Sequence, residues 1–120
     1  MDKVNLRSFN TQKIVAHGGN GFVDWSRIVG PTPGSYINFI DRAIVPPNSS
    51  IGRHLHEGTE EIYLILSGVA EMTLGASRFT VEPFDMVINR GDYHSLSNSS
   101  DSDVEIFVIE IRQAHEIPES

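Results

Sequence analysis

The stretch that decides the fold is His54-Leu55-His56-Glu57-Gly58-Thr59-Glu60-Glu61-Ile62-Tyr63-Leu64-Ile65-Leu66-Ser67-Gly68. It opens with two histidines two residues apart. Side chains alternate across a strand, so such a pair projects to one side of a short strand. Glu57 to Glu60 can turn the chain, and a strong strand follows over 60–66. One face of that strand carries Glu61, Tyr63 and Ile65, the other Ile62, Leu64 and Leu66. A strand apolar on both faces is covered on both. In a barrel one face lines the interior, and the other meets a second layer or another subunit.

Outward from this stretch the chain reads as short β-rich runs cut by Gly, Pro, Asn and Asp. Upstream, strands are expected at 21–29, closed by Gly30-Pro31-Thr32-Pro33-Gly34, at 35–45, closed by Pro46-Pro47, and at 53–56. Downstream they are expected at 69–74 and 78–82, a hairpin around Gly75-Ala76-Ser77, then at 85–89, 94–97 and 104–111. No window of a dozen residues repeats apolar positions at helical spacing. The pattern predicts an all-β sandwich or barrel. Residues 1–120 are expected to form one domain, with a core over about 21–112. An N-terminal arm (1–20) could add an edge strand, within the chain or across a dimer partner, and 113–120 are expected to form a polar tail that frays.

The chain has 120 residues, a length suited to one hydrophobic core. It has no cysteine, so thiolate metal sites and disulfides are excluded, which fits a cytoplasmic protein. The formal charge of −7 repels phosphate backbones and argues against nucleic acid as a partner. No run approaches the roughly 20 apolar residues of a membrane helix. The first residues lack the apolar run of a signal peptide.

The chemistry-bearing residues are His54, His56, Glu61 and, further on, His94. Three imidazoles and a carboxylate suit Mn, Fe, Co, Ni, Cu or Zn and are poor for Ca or Mg. Each imidazole binds a metal in its neutral form, so affinity falls with acidification.

The stretch from Gly52 to Asn98 resembles the cupins. Their first motif, G(X)5HXH(X)3-4E(X)6G, is matched by His54, His56, Glu61 and Gly68, with Asn48 in the leading glycine position. Asn tolerates the left-handed backbone better than most residues. The second motif, G(X)5PXG(X)2H(X)3N, is matched at its end by Gly91, His94 and Asn98. Asn89 stands in the proline position, Pro83 in the leading glycine position, and Phe84-Asp85 replaces the usual Gly-Asp turn. The resemblance implies a double-stranded β-helix (jelly-roll) barrel, often a homodimer. It also implies one divalent transition metal per chain (Mn, Fe, Ni, Cu or Zn) held by His54, His56, Glu61 and His94, with one or two positions open.

Around that site, Tyr63 and Ile65 share the parity of Glu61 and are expected to line a substrate cavity. On the strand before, either Tyr36, Asn38, Ile40 and Arg42 face inward, or Ile37, Phe39 and Asp41 do. In the first case Arg42 could hold a substrate carboxylate. Phe107 and Ile109 are expected to close the pocket. Trp25 is read as packing, His17 and His115 as non-ligands, Gly68, Gly75 and Gly91 as turn glycines, and Asn98 as a turn cap. The function expected is a metal-dependent enzyme acting on a small oxygenated molecule: a dioxygenase, an oxidase or decarboxylase, or an isomerase or cyclase. The alternatives are a barrel that binds a sugar, acid or effector without turning it over, and a purely structural metal.

Overall fold

A computed structural model describes residues 3–112. The tail at 113–120, with His115, lies outside the described residues. A 3-10 turn over Leu6–Ser8 is followed by ten strands: β1 (Gln12–Ile14), β2 (Val23–Val29), β3 (Ile37–Val45), β4 (Ser50–His54), β5 (Thr59–Ser67), β6 (Ala70–Leu74), β7 (Ser77–Val81), β8 (Met86–Asn89), β9 (His94–Ser97) and β10 (Val104–Arg112). They form a six-stranded sheet in the order β1-β2-β3-β10-β5-β8 and a four-stranded sheet in the order β4-β9-β6-β7. Every pairing is antiparallel. This is the all-β jelly-roll barrel expected from the strand pattern and the two motifs. The described residues include no helix long and apolar enough to cross a membrane.

Alternation sets what faces inward. On β5 the buried positions are Glu61, Tyr63 and Ile65; on β10 they are Val104, Ile106, Val108 and Glu110. On β3, Asp41, Ala43 and Val45 are buried. The open choice of parity is thereby resolved in favour of the Asp41 face. Arg42 falls on the opposite face, where it pairs with Glu105 on β10 at 2.7 Å. Phe107 is Arg42's cross-strand partner and shares that outer face, as does Ile109. Arg42 and Phe107, both expected to bind substrate, are thus turned away from the interior by the period-2 geometry of their strands.

The expected strands are present with ends shifted by a few residues. The arm supplies an edge strand, β1, paired to β2 of the same chain. One difference matters for the site: β4 ends at His54, so His56 lies in the turn beyond rather than on the strand. Its position is set by contacts, not by strand alternation alone.

Turn chemistry tolerates the departures from the two motifs. Asn48, in the motif's glycine position, has φ +61°. Phe84 has φ +73° and is 86% exposed. A left-handed residue with a side chain costs about 1–2 kcal/mol. The Phe84 N–H donates to Ile65 O at 2.8 Å, and Asp85 Oδ2 accepts from Glu82 N–H at 2.9 Å, so the turn keeps its bonds. Asn98 is buried and donates to Val45 O and Ser102 O, while its Oδ1 accepts from Ser100 N–H and Oγ–H: the turn cap expected.

Candidate metal centre

Two rows of side chains meet inside the barrel. Asn89 (β8), Glu61 (β5) and Glu110 (β10) lie side by side across the six-stranded sheet. His54 and His94 are direct cross-strand partners on β4 and β9. The rows face each other across the interior. His94 is fully buried, and Glu61 is 3% exposed.

The lone pairs of His54 and His56 turn inward because an acceptor holds the far side of each ring. His54 Nδ1–H donates to Gly52 O at 2.7 Å, which leaves Nε2 as a lone pair 3.7 Å from Glu61 Oε1. His56 Nδ1 lies 3.1 Å from Glu110 Oε1, and its Nε2 lies 3.5 Å from Glu61 Oε2. A carboxylate behind a ligating imidazole fixes its tautomer and raises its basicity. His94 Nε2 is 2.8 Å from Glu61 Oε1, and Asn89 Nδ2 donates to His94 Nδ1 at 2.6 Å, so the neutral ring carries its proton on Nε2 and gives it to Glu61. Ligation through Nε2 would move that proton to Nδ1, where Asp92 O at 3.4 Å could accept it. Asn89 cannot be reversed without loss, because its Oδ1 accepts from the N–H groups of Gly91 and Asp92. The residue in the motif's proline position is therefore built into the site.

Donors bonded at about 2.1 Å to a six-coordinate ion stand roughly 3 Å apart when adjacent and roughly 4.2 Å apart when opposite. The spacings to Glu61 lie close to that range. Two groups of donors share this carboxylate: His54, Glu61 and His94, and His56, Glu61 and Glu110. Within each, the ligand atoms lie within 4.8 Å of one another. His and Glu groups that could bind a metal are thus present.

Two further observations fit a cation here. Glu61 Oε2 is buried and has no hydrogen-bond partner. Burying a carboxylate oxygen unpaired is costly unless something positive reaches it. Asp41, Glu61 and Glu110 are all at least 94% buried, and Arg27 is the one Lys or Arg lining the cavity among the described residues. That excess of negative charge is what a divalent ion offsets. Burial pushes the Glu61 carboxyl up, but the surrounding imidazoles of His54, His94 and His56 outweigh it and hold the group at about 2. Burial, with the Glu61 charge adding, pushes the Tyr63 phenol well above its usual range, so it stays protonated.

The site opens into a cavity of about 360 Å³ walled by Ile14 to His17 of the arm and by residues of β2, β3 and β5. Tyr63 lines it, as expected. Ile65 has no exposed surface and lies in the packed core, off the cavity wall. Trp25 lines the wall and also carries the Arg27 guanidinium over its ring.

His17, read from sequence as a non-ligand, stacks on His54 with centroids 3.6 Å apart and planes 6° from parallel. Its donor atoms lie near those of His54 and His56. The stacking geometry bears on whether it could share their role. An imidazole lone pair lies in the ring plane, so two rings stacked face to face would not aim their lone pairs at one point. Burial, then the charges of His54 and His56, lower His17 to about 4, so it is a neutral ring at pH 7.

Glu110 and Arg27 escaped the sequence reading, which named Asp41 only within one of two alternative inward faces. The signal for Glu110 was present: β10 alternates Val104, Ile106, Val108, and an acid at the next inward position breaks an apolar series.

The cupin domain family model matches residues 41–110. An oxalate-binding protein of Thermotoga maritima is 29% identical over 94 residues, which cover 77% of this chain and 78% of that protein. Among solved structures, a Thermotoga maritima protein described as a predicted oxalate decarboxylase superposes with a TM-score of 0.85 at 25% identity, covering 92% of this chain and 99% of that one. The polyketide cyclase RemF of Streptomyces resistomycificus superposes with a TM-score of 0.77 at 17% identity, covering 94% and 80%, a likeness of fold alone. With the motif ligands converging in the barrel and the family model covering more than half its length, this chain belongs to the cupin family.

Proposed function

We propose that this protein binds one divalent transition metal through His54, His56, Glu61 and His94, and that a small carboxylic acid of the oxalate kind is its ligand and substrate. The observation that carries the metal is the orphaned, buried Oε2 of Glu61 amid neutral-capable imidazoles. The acid is supported by the oxalate-binding relative and by the cavity, which suits a molecule of a few carbon atoms. A bound divalent ion supplies a Lewis acid that polarises carboxylate and carbonyl oxygens.

The chain's own residues do the rest. Glu110 and the Gly52 carbonyl orient His56 and His54, and Asn89 orients His94. Tyr63, protonated and edge-on to His94 at 5.4 Å, walls the cavity. The arm from Ile14 to His17 covers one side of the cavity and limits water. The reaction class we favour is decarboxylation or oxidation of the acid. Binding without turnover is the second reading, favoured by the relative described by what it binds.

The outer face of the large sheet carries Ile62 and Leu64 on β5 opposite Ile109 and Phe107 on β10. We further propose that a second copy covers this face; light scattering that gives a monomer mass would refute it.

The test is elemental analysis of protein purified without added metal, with oxalate binding by calorimetry and turnover by oxygen uptake and CO2 release. One Mn, Fe, Ni, Cu or Zn per chain is expected, and oxalate binding that depends on it. His56→Ala is expected to lose stoichiometric metal while keeping most of the fold. Wild type that takes up no metal on reconstitution, or His56→Ala that still holds one per chain, sinks the site.

A further inference from the structure

Arg27 stands apart from the metal-facing residues yet lines the same cavity as His54, His56 and Glu61. It is fixed on three sides. Its Nε and Nη2 donate to the two carboxylate oxygens of Asp41 at 3.0 and 3.2 Å. Its guanidinium carbon lies 4.6 Å from the Phe39 ring centroid and 5.3 Å from that of Trp25. Asp41 is 6% exposed, so the anchor is rigid, while the Arg27 side chain keeps 43% of its surface open. Nη1 makes no hydrogen bond among the described residues.

This is the construction expected of a recognition residue rather than a surface charge. A free arginine loses side-chain entropy when it grips an anion; one already clamped by a carboxylate and two aromatic faces loses less. The clamp leaves donors of the fork unused. Arg42, the other arginine on the neighbouring strand, is spent on Glu105 on the outer face.

Resting on the small-acid reading above, we propose that Arg27 is the specificity-determining residue of the cavity. It takes the carboxylate oxygens that the metal leaves free, and so selects short dicarboxylates over monocarboxylates. Asp41 is its positioning partner, holding the fork toward the cavity.

The test uses the full chain loaded with its metal and measures calorimetric affinity for oxalate, malonate and acetate. Arg27→Gln is expected to weaken oxalate roughly ten- to a hundred-fold, the effect of losing a charge-assisted hydrogen bond. Acetate affinity is expected to stay within about two-fold and metal content near one per chain. Arg27→Lys, which keeps the charge and loses the fork, is expected to fall between. Because Arg27→Gln leaves Asp41 buried without its partner, the double variant Arg27→Gln/Asp41→Asn serves where the single one folds poorly, with the same loss of discrimination. An unchanged ratio of oxalate to acetate affinity in a metal-loaded variant overturns this inference and leaves the small-acid reading standing. Loss of metal from Arg27→Gln overturns it in favour of a structural role. Metal-loaded wild type that binds none of the three acids removes both readings.

Discussion

The interior of this barrel has two ends built from the same strands and opposite chemistry. Along β5 the inward residues run Glu61, Tyr63, Ile65; along β10 they run Glu110, Val108, Ile106, Val104; along β3 they run Asp41, Ala43, Val45. One end is therefore a row of carboxylates, and the other is closed with Ile65, Ile106, Val45 and Val104, none of which has exposed surface. On β5 and β10 the change follows the paired Glu61 and Glu110, and on β3 it comes one inward position deeper, at Asp41, which pairs with Val108. Burial per residue is nearly equal at both ends, so burial does not distinguish them. What differs is whether each buried atom has a partner. The dry end is complete with the protein alone; the charged end, with its orphaned Glu61 oxygen, is not.

If this division is real, changes at the dry end should alter stability and leave the metal alone. Ile65→Ala removes a fully buried side chain, and we expect a loss of about 2–5 kcal/mol in chemical denaturation. Metal content of the folded fraction should remain near one per chain. A metal loss larger than the unfolded fraction explains would show that the two ends are coupled.

At the charged end the metal-free protein should show a pH dependence that the dry end lacks. The folded Glu61 carboxyl, at about 2, lies below its ordinary value of 4.5. Its contribution is thus full above about pH 4.5 and fades as pH falls toward 2. In the chelated protein, urea midpoints of wild type should drop over that window more steeply than those of Glu61→Gln. Parallel curves would mean that the imidazoles do not stabilise the carboxylate in the fold.

The smallest effect is expected at the rim. His17→Ala removes a ring stacked on His54 but, by the parallel geometry, not a lone pair directed at the same ion. Metal stoichiometry should stay at one and stability should move by no more than about 1 kcal/mol. A drop to well below one metal per chain would make His17 part of the donor set and redraw the boundary of the site.

Much of this division could be read from the sequence. The positions of His54, His56, Glu61 and His94 relative to the turn glycines indicated the barrel, and strand parity placed Tyr63 and Ile65 on the inward side. Parity alone could not choose a face for the strand carrying Arg42, because Tyr36 to Arg42 is mixed on both sides. The choice is made by neighbours distant in sequence: Asp41 lies between Arg27 of β2 and Val108 of β10. Phe107 misled for a related reason. Its strand is apolar on both faces, so hydrophobicity did not say which face was interior. His17 was illegible because its place depends on how the arm crosses β4, a contact spanning more than thirty residues.

That crossing has a consequence of its own. At Gly19 and Gly52 the arm and β4 run backbone against backbone; a Cβ on Gly52 would meet His17 O at 2.2 Å, and one on Gly19 would meet Ser50 O at 2.2 Å. The N–H of Gly52 also donates to Ala16 O at 2.9 Å. Neither glycine lines the cavity. Yet adding a single methyl at either would lift the segment that carries Ile14 to His17, and with it one wall of the chamber. The size of molecule this protein admits is thus set in part by two residues with no side chain, and a search for selectivity variants confined to cavity-lining positions would pass over both.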